Sequence, residues 1–390
     1  MVIIESGLIY RNPKPHIVSR HAVFPSLALL PDGTLFAAFD LGSAFEAADM
    51  RSNYVLSHDG GKTWSAPLAV PLPDFTGPFS STCRFRCSPE GLLVGVGALW
   101  DRTRTEEGLA NPETGGFVET FPFLVCAETP SLKWGAPQWM QAPLPGPFEI
   151  CSPIFFTSSG EWLWPASTWK NWDGQTELGM LAIVLRSSDA GKTWPAWNSV
   201  MDGRSRGIIH WEVKLAGLPD GRLLAVSWTH DAGSGRDLPI HYALSNEEGR
   251  TFSAPAPTGL VGQTCTPLAL NDGRILSLYR RIEHPGLWAQ ISVLDGDHWV
   301  NQEEELLWGG SSHTAGVTDP KFATTAMSSL RFGLPASVLL PDGTILAAFW
   351  CVEDAVSVIR FFKIGCTVPG PRFLGRSQPG VDRPEQGAAG

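Results

Sequence analysis

The sequence predicts an all-β protein assembled from six repeats of about four short strands each. Three observations carry that expectation. An apolar strand, a tight turn containing glycine and a second apolar strand recur six times along the 390 residues. Gly (41) and Pro (32) are frequent enough to punctuate the chain every few residues, which excludes an architecture of long helices. A second short motif, ending in an aromatic residue, follows several of the hairpins at matching phase.

The hairpins are SLALLPDGTLFAAFD (26–40), CRFRCSPEGLLVGVGAL (83–99), SPIFFTSSGEWLWPAS (152–167), VKLAGLPDGRLLAVSW (213–228), TPLALNDGRILSLYR (266–280) and PASVLLPDGTILAAFW (335–350). Asp-Gly, Glu-Gly and Ser-Gly suit two-residue turns because glycine takes positive φ without a Cβ clash. The turn glycines Gly33, Gly91, Gly160, Gly221, Gly273 and Gly343 lie 52 to 70 residues apart, room for about four strands per unit.

The second motif reads SHDGGKTW (57–64), SSDAGKTW (187–194) and SNEEGRTF (245–252), with degenerate versions ETPSLKW (128–134) and LDGDHW (294–299). Its acidic side chain can bond the amides of its own turn, and its last aromatic can pack between sheets. These motifs resemble the Asp-box, or bacterial neuraminidase repeat, of the sialidase-like β-propellers, over about residues 20–365. The resemblance implies a six-bladed β-propeller of four-stranded antiparallel blades around a central channel, one domain over 1–366. Val2–Tyr10 is expected to supply the outer strand of the last blade, and 367–390 to form a frayed tail. In this reading Asp59, Asp189 and Glu247 are structural.

Composition narrows the function. With 29 Lys+Arg against 39 Asp+Glu the net charge is −10, unsuited to a nucleic-acid binder that must neutralise phosphates. No window reaches the length of a membrane span, and no basic start with a long apolar run marks a secretory signal, so the expectation is a soluble, cytoplasmic protein. Seven scattered cysteines read as buried free thiols, and no spacing of ligands defines a metal or cofactor site. The sequence sets no oligomeric state.

In such a propeller the strand before each turn lines the channel. Arg20, His21, Arg84, Arg86, Glu149, His210, Glu212, Lys214, Gln263 and Arg331 are polar exceptions there. Asp40, Glu46, Asp49, His230, Arg280 and Arg281 follow at the ends of second strands and in their loops. Strand alternation puts His210, Glu212 and Lys214 on one face, either as a site or as a salt-bridge ladder in the channel wall. Trp100, Trp169, Trp172, Trp228, Trp288 and Trp350 could be sugar platforms or core between blades.

The resemblance implies an arginine triad for the substrate carboxylate, a tyrosine nucleophile assisted by a glutamate, and an aspartate acid/base. HWEVKLAGLPDGRLLAVSW (210–228) is similar to the glutamate strand and puts Glu212 at that position. Asp49, with Glu46 beside it, occupies the acid/base segment. The arginine positions hold Val23, Trp228 and Leu287–Trp288, and the tyrosine position falls near Leu334. Ordinary sialoside hydrolysis is therefore not expected. Two functions remain open. One is an exo-acting glycosidase on another carbohydrate, with Glu212, Asp49 and Glu149 catalytic and Arg20, His21, Arg84, His210, Trp228, His230, Arg280 and Arg281 around the substrate. The other is a noncatalytic carbohydrate-binding propeller.

Overall fold

Six antiparallel sheets succeed one another along the chain in the computed structural model, which describes residues 1–281, 283–309 and 330–366. They are the blades of a six-bladed β-propeller, and the sheets form in sequence order. Blade 1 comprises His21–Leu29, Leu35–Gly42, Arg51–Ser57 and Leu68–Ala69, and blade 2 is Phe79–Cys87, Leu92–Asp101 and Thr120–Glu128 with short outer strands Lys133–Trp134 and Gln138–Trp139. The inner strand of blade 3 is broken into Phe148–Glu149 and Phe155–Phe156, both paired with Trp162–Thr168, followed by Ala182–Ser187 and Ala196–Met201. Blade 4 is Ile208–Gly217, Leu223–Asp231, Arg236–Ser245 and Ala256–Val261; blade 5 is Gln263–Ala269, Ile275–Arg281, Gly286–Asp295 and His298–Gly309. Blade 6 takes Phe332–Leu339, Ile345–Glu353 and Val356–Gly365 from the end of the chain and Val2–Tyr10 from its start. Val2 pairs with Gly365 and Tyr10 with Ile359, so the expected closing strand is in place. The proposed tail, 367–390, lies outside the described residues.

The hairpin turns are wider than the two-residue turns expected. In blade 1 the Gly33 amide donates to Leu30 O at 2.9 Å, Leu30 N to Thr34 O at 2.9 Å, and Asp32 Oδ1 accepts Thr34 N at 3.0 Å. The glycine takes the left-handed residue of this longer turn (φ 85° at Gly33), which explains its recurrence.

Asp-boxes join third to fourth strands in blades 1, 3 and 4. Asp59 accepts from Ser57 Oγ, Thr63 N and Thr63 Oγ1 at 2.6–2.9 Å, and Asp189 repeats the pattern with Ser187 and Thr193. Trp64 then packs against the core between blades 6 and 1, and Trp194 into that between blades 2 and 3. The apolar cores thus lie between blades, around a channel lined by both polar and apolar side chains.

All seven cysteines are free thiols. Among the described residues no helix is long and apolar enough to cross a membrane.

Candidate functional site

Four inner strands carry the same irregularity. The pairing register slips between Val23 and Ser26, Trp211 and Lys214, Gln263 and Thr266, and Gly333 and Ala336. At each slip one non-glycine residue holds a left-handed backbone: Phe24, Glu212, Thr264 and Leu334, with φ 57°, 51°, 56° and 41°. Each lies eight residues before the aspartate of its turn. A bulge with positive φ costs energy in an L-residue and re-aims its side chain, and such outliers gather at functional sites. Here three of the four, Phe24, Glu212 and Leu334, line one pocket at the channel mouth.

That pocket has a volume of about 90 Å³ and holds three carboxyl groups, Glu46, Glu149 and Glu212, with Arg84 among Phe24, Trp100, Leu109, Phe117, Phe148 and Leu334. Glu149 comes from the broken inner strand of blade 3, and its Oε2 accepts the Glu212 amide at 3.1 Å. Burial, then the charge of Glu212, pushes the Glu149 carboxyl up to about 8, with Lys214 opposing. Glu46 hangs from the loop 43–50, and its Oε2 accepts Leu109 N at 3.1 Å. Burial raises its carboxyl too, against the pull of the Leu109 amide and the Arg102 charge. Glu46 Oε1 and Glu212 Oε2 are buried with no hydrogen-bond partner among the described residues. Such orphaned acceptors are rare in folded proteins unless a ligand or water completes them. The roof belongs to the loops 43–50 and 102–119, which contribute Glu46, Leu109 and Phe117.

Arg84 lies beside the pocket floor, with Asp40 at 3.8 Å and its Nη1 donating to Phe24 O and Cys83 O. Asp40 is fully buried and accepts Ser52 Oγ and Thr82 Oγ1 at 2.7 Å; burial outweighs these bonds and the Arg84 charge and lifts it to about 6.

Arg280, Trp228 and His230 come together beside the pocket, through two groups of which only Gln263 was picked out from the sequence. Arg280 donates to Gln263 Oε1 at 2.6 and 3.0 Å and to Phe332 O at 3.1 Å. Gln263 Nε2 donates to Asp237 Oδ2 at 2.6 Å, while Asp237 Oδ1 accepts Trp228 Nε1 at 2.8 Å and His230 Nδ1 at 2.9 Å. The Arg280 guanidinium is buried and faces Glu212 electrostatically. Gly333 makes this possible, since a Cβ there would lie 2.5 Å from Arg280 Nη1. Asp237, the hub, follows no turn or motif that would single it out.

The remaining candidates lie elsewhere. Asp49 is exposed and accepts Ser43 N and Oγ at 3.0 Å, pinning its own loop; its neighbour Glu46 is the one that enters the pocket. Arg20 is exposed near Tyr10, and His21 accepts the Ser357 amide at 3.2 Å, fastening blade 1 to blade 6. The bulge at Glu212 breaks the alternation that put His210 on its face. His210 is fully buried, bonded to His241 at 3.0 Å, and held neutral down to about 3 by that burial. Arg281 points opposite to Arg280 and pairs with Glu304 at 3.1 Å over the Trp288 ring. Lys214 donates to Thr266 Oγ1 at 2.8 Å, and no salt bridge joins it to Glu212 among the described residues, so the ladder is not formed. Of the six tryptophans, Trp100 borders the pocket. Trp169 and Trp228 instead sandwich Trp211 in a buried stack, with centroids 4.5 and 4.2 Å apart. Val23, Trp228, Leu287 and Leu334, at the clamp and nucleophile positions, are all buried apolar residues. Among the described residues no three His, Cys, Asp or Glu converge as metal ligands.

No protein-family model matches the chain, and no curated protein matches it by sequence. Solved structures do. A protein of unknown function from Dyadobacter fermentans superposes with a TM-score of 0.69 at 21% identity, over 93% of this chain and 98% of that one. The leech intramolecular trans-sialidase matches with a TM-score of 0.62 at 13% identity, over 93% of this chain and 70% of that one. The Trypanosoma rangeli sialidase in complex with sialic acid matches with 0.61 at 12% identity; 89% of this chain covers 54% of it, about half its length. By fold, therefore, the protein is a divergent sialidase-like propeller. Fold alone assigns no chemistry, which rests on the residues at the mouth.

Proposed function

We propose that the channel mouth is a glycoside-processing site for a carbohydrate other than a simple sialoside. The observation that carries this is one apolar pocket with three carboxyl groups, two of which present orphaned oxygens. Glu149, kept protonated near neutral pH by burial and by Glu212, is suited to protonate a leaving glycosidic oxygen. Glu212, aimed by its left-handed backbone and facing Arg280, is suited to act as the paired base or nucleophile, with Glu46 as third carboxyl. Trp100, Phe24 and Phe117 offer flat apolar surface to a sugar ring.

A volume of about 90 Å³ is below the roughly 300 Å³ at which ligand pockets begin, so a sugar needs the roof to lift. The Leu109–Glu46 bond is the contact that opening breaks, which would free a second carboxylate as substrate enters. A hydrolysis screen over aryl glycosides and oligosaccharides, run on the wild type and on Glu212→Gln, tests this. Turnover of a neutral or uronic sugar that Glu212→Gln abolishes supports it. Ligand binding with no turnover of any sugar replaces it by the carbohydrate-binding module.

A further inference from the structure

Below the mouth the axis widens into a second cavity of about 300 Å³. It extends toward the hairpin turns, and the residue six before each turn reaches it from all six blades: Ser26, Arg84, Pro153, Lys214, Thr266 and Ala336. Arg84, Cys151 and Leu334 border both cavities and form the neck between them. The side-chain chemistry changes across this neck. Three carboxyl groups stand above it, whereas among the described residues the ionisable side chains along the lower wall, thiols aside, are Arg84, Arg86 and Lys214, with no aspartate or glutamate.

Arg86 is the unusual member. It is half-buried in the cavity wall, its guanidinium lies 5.5 Å over the Phe155 ring, and burial drags its basicity down to about 10. Yet no ion pair and no hydrogen bond holds it among the described residues, and it lines the cavity. A guanidinium drawn part-way out of water normally gains a carboxylate or a set of carbonyls, because desolvating an unpaired charge is costly. Its neighbours have donors to spare as well. Arg84 Nε is buried without a partner among the described residues, and Lys214 places one of its three ammonium protons on Thr266.

We propose that the turn-side half of the channel is a binding site for a small oxyanion, a carboxylate or a phosphate, held by Arg86 with Lys214 and Arg84. The planar fork of Arg86 matches two oxygens of such a group, and Lys214 adds a point charge from the adjoining wall. The mouth faces the same ligand with carboxyl groups, so anion recognition is confined below the neck. This site is independent of whether the mouth turns over a sugar, and its ligand can be an effector rather than a substrate.

The test is isothermal titration and thermal shift on the full chain with inorganic phosphate and, separately, succinate, at constant ionic strength in chloride. Saturable binding of either, weakened at least tenfold in Arg86→Met and kept in Glu212→Gln, is the expected result; which anion binds distinguishes phosphate from carboxylate. Arg86→Lys keeps the charge but loses the fork, and is expected to bind several-fold more weakly than wild type while folding normally. The proposal is overturned if neither anion saturates. It is equally overturned if Arg86→Met and Arg86→Lys both bind like wild type, or if Glu212→Gln loses the anion together with any sugar binding.

Discussion

The amide of Glu212 donates to the carboxyl of Glu149 at 3.1 Å, and this bond joins blades 3 and 4 at the point where both strands are irregular. Glu212 reaches it from a bulge with φ 51°, and Glu149 from an inner strand that stops pairing directly after it. Two carboxyl groups of one small pocket are thereby held side by side, and the charge of Glu212 adds to burial in raising the Glu149 carboxyl.

The first consequence is a pH-dependent stability. The Glu149 carboxyl rises from 4.5 to about 8 on folding, so between these values the native state binds the extra proton. Stability from this group is therefore lost as pH rises through that window. Thermal melts from pH 4.5 to 8.5 are expected to show Glu149→Gln gaining on wild type by several degrees at the alkaline end, with little difference at the acid end. A difference that is flat with pH would mean that Glu149 ionises normally.

Activity should separate from binding at Glu212. Glu212→Gln removes the charge but keeps the shape, so kcat is expected to fall by about 10²–10⁴-fold, the usual span for a lost acid/base group. The dissociation constant for the sugar should change little. Stopped-assay kinetics beside calorimetry on the same preparation checks this, and equal losses in both would assign Glu212 to binding.

Simple sialosides should not turn over. The positions that would clamp a sialic acid carboxylate hold Val23, Trp228 and Leu287, and Leu334 stands where a tyrosine nucleophile would. Release of sialic acid from an aryl sialoside at a rate abolished by Arg84→Met would reverse this expectation.

Two tryptophans should behave oppositely. Trp211 is buried between Trp169 and Trp228, so Trp211→Ala is expected to cost about 3–5 kcal/mol of stability. Trp100 borders the pocket half-buried, so Trp100→Ala should lower Tm less and weaken sugar binding more. Chemical denaturation and ligand titration of both variants decide which tryptophan is platform and which is core.

The repeat was legible because it is written locally. Each turn needs its glycine, each Asp-box bonds within seven residues, and Val2–Tyr10 is an apolar run with no hairpin of its own. The mouth was only half legible. Glu149, Glu212 and Arg84 follow from their place before the turns, but strict alternation fails where a bulge inserts residues. That is why His210 turns away from Glu212 while Glu212 keeps its aim. In the loop 43–50, Glu46 and Asp49 are equivalent by composition; only the Leu109 amide from the next blade separates the pocket residue from the loop pin. Arg280 and Arg281 are likewise adjacent in sequence and opposite in space, with Asp237 and Glu304 as the partners that distinguish them.

The closing strand sets a schedule for biosynthesis. Among the described strands of the propeller Val2–Tyr10 is made first and its partner Val356–Gly365 last. At about 5–20 residues per second that interval is roughly 20–70 s, during which the wheel is an open arc with two bare edges. The waiting strand begins Val-Ile-Ile and keeps Val2 and Ile4 more than half exposed even in the finished ring, so the nascent propeller carries an unpaired apolar strand until blade 6 forms. A circular permutant with the seam moved between blades 3 and 4 would shorten that wait for blade 6 and should raise the yield of folded protein at high expression temperature.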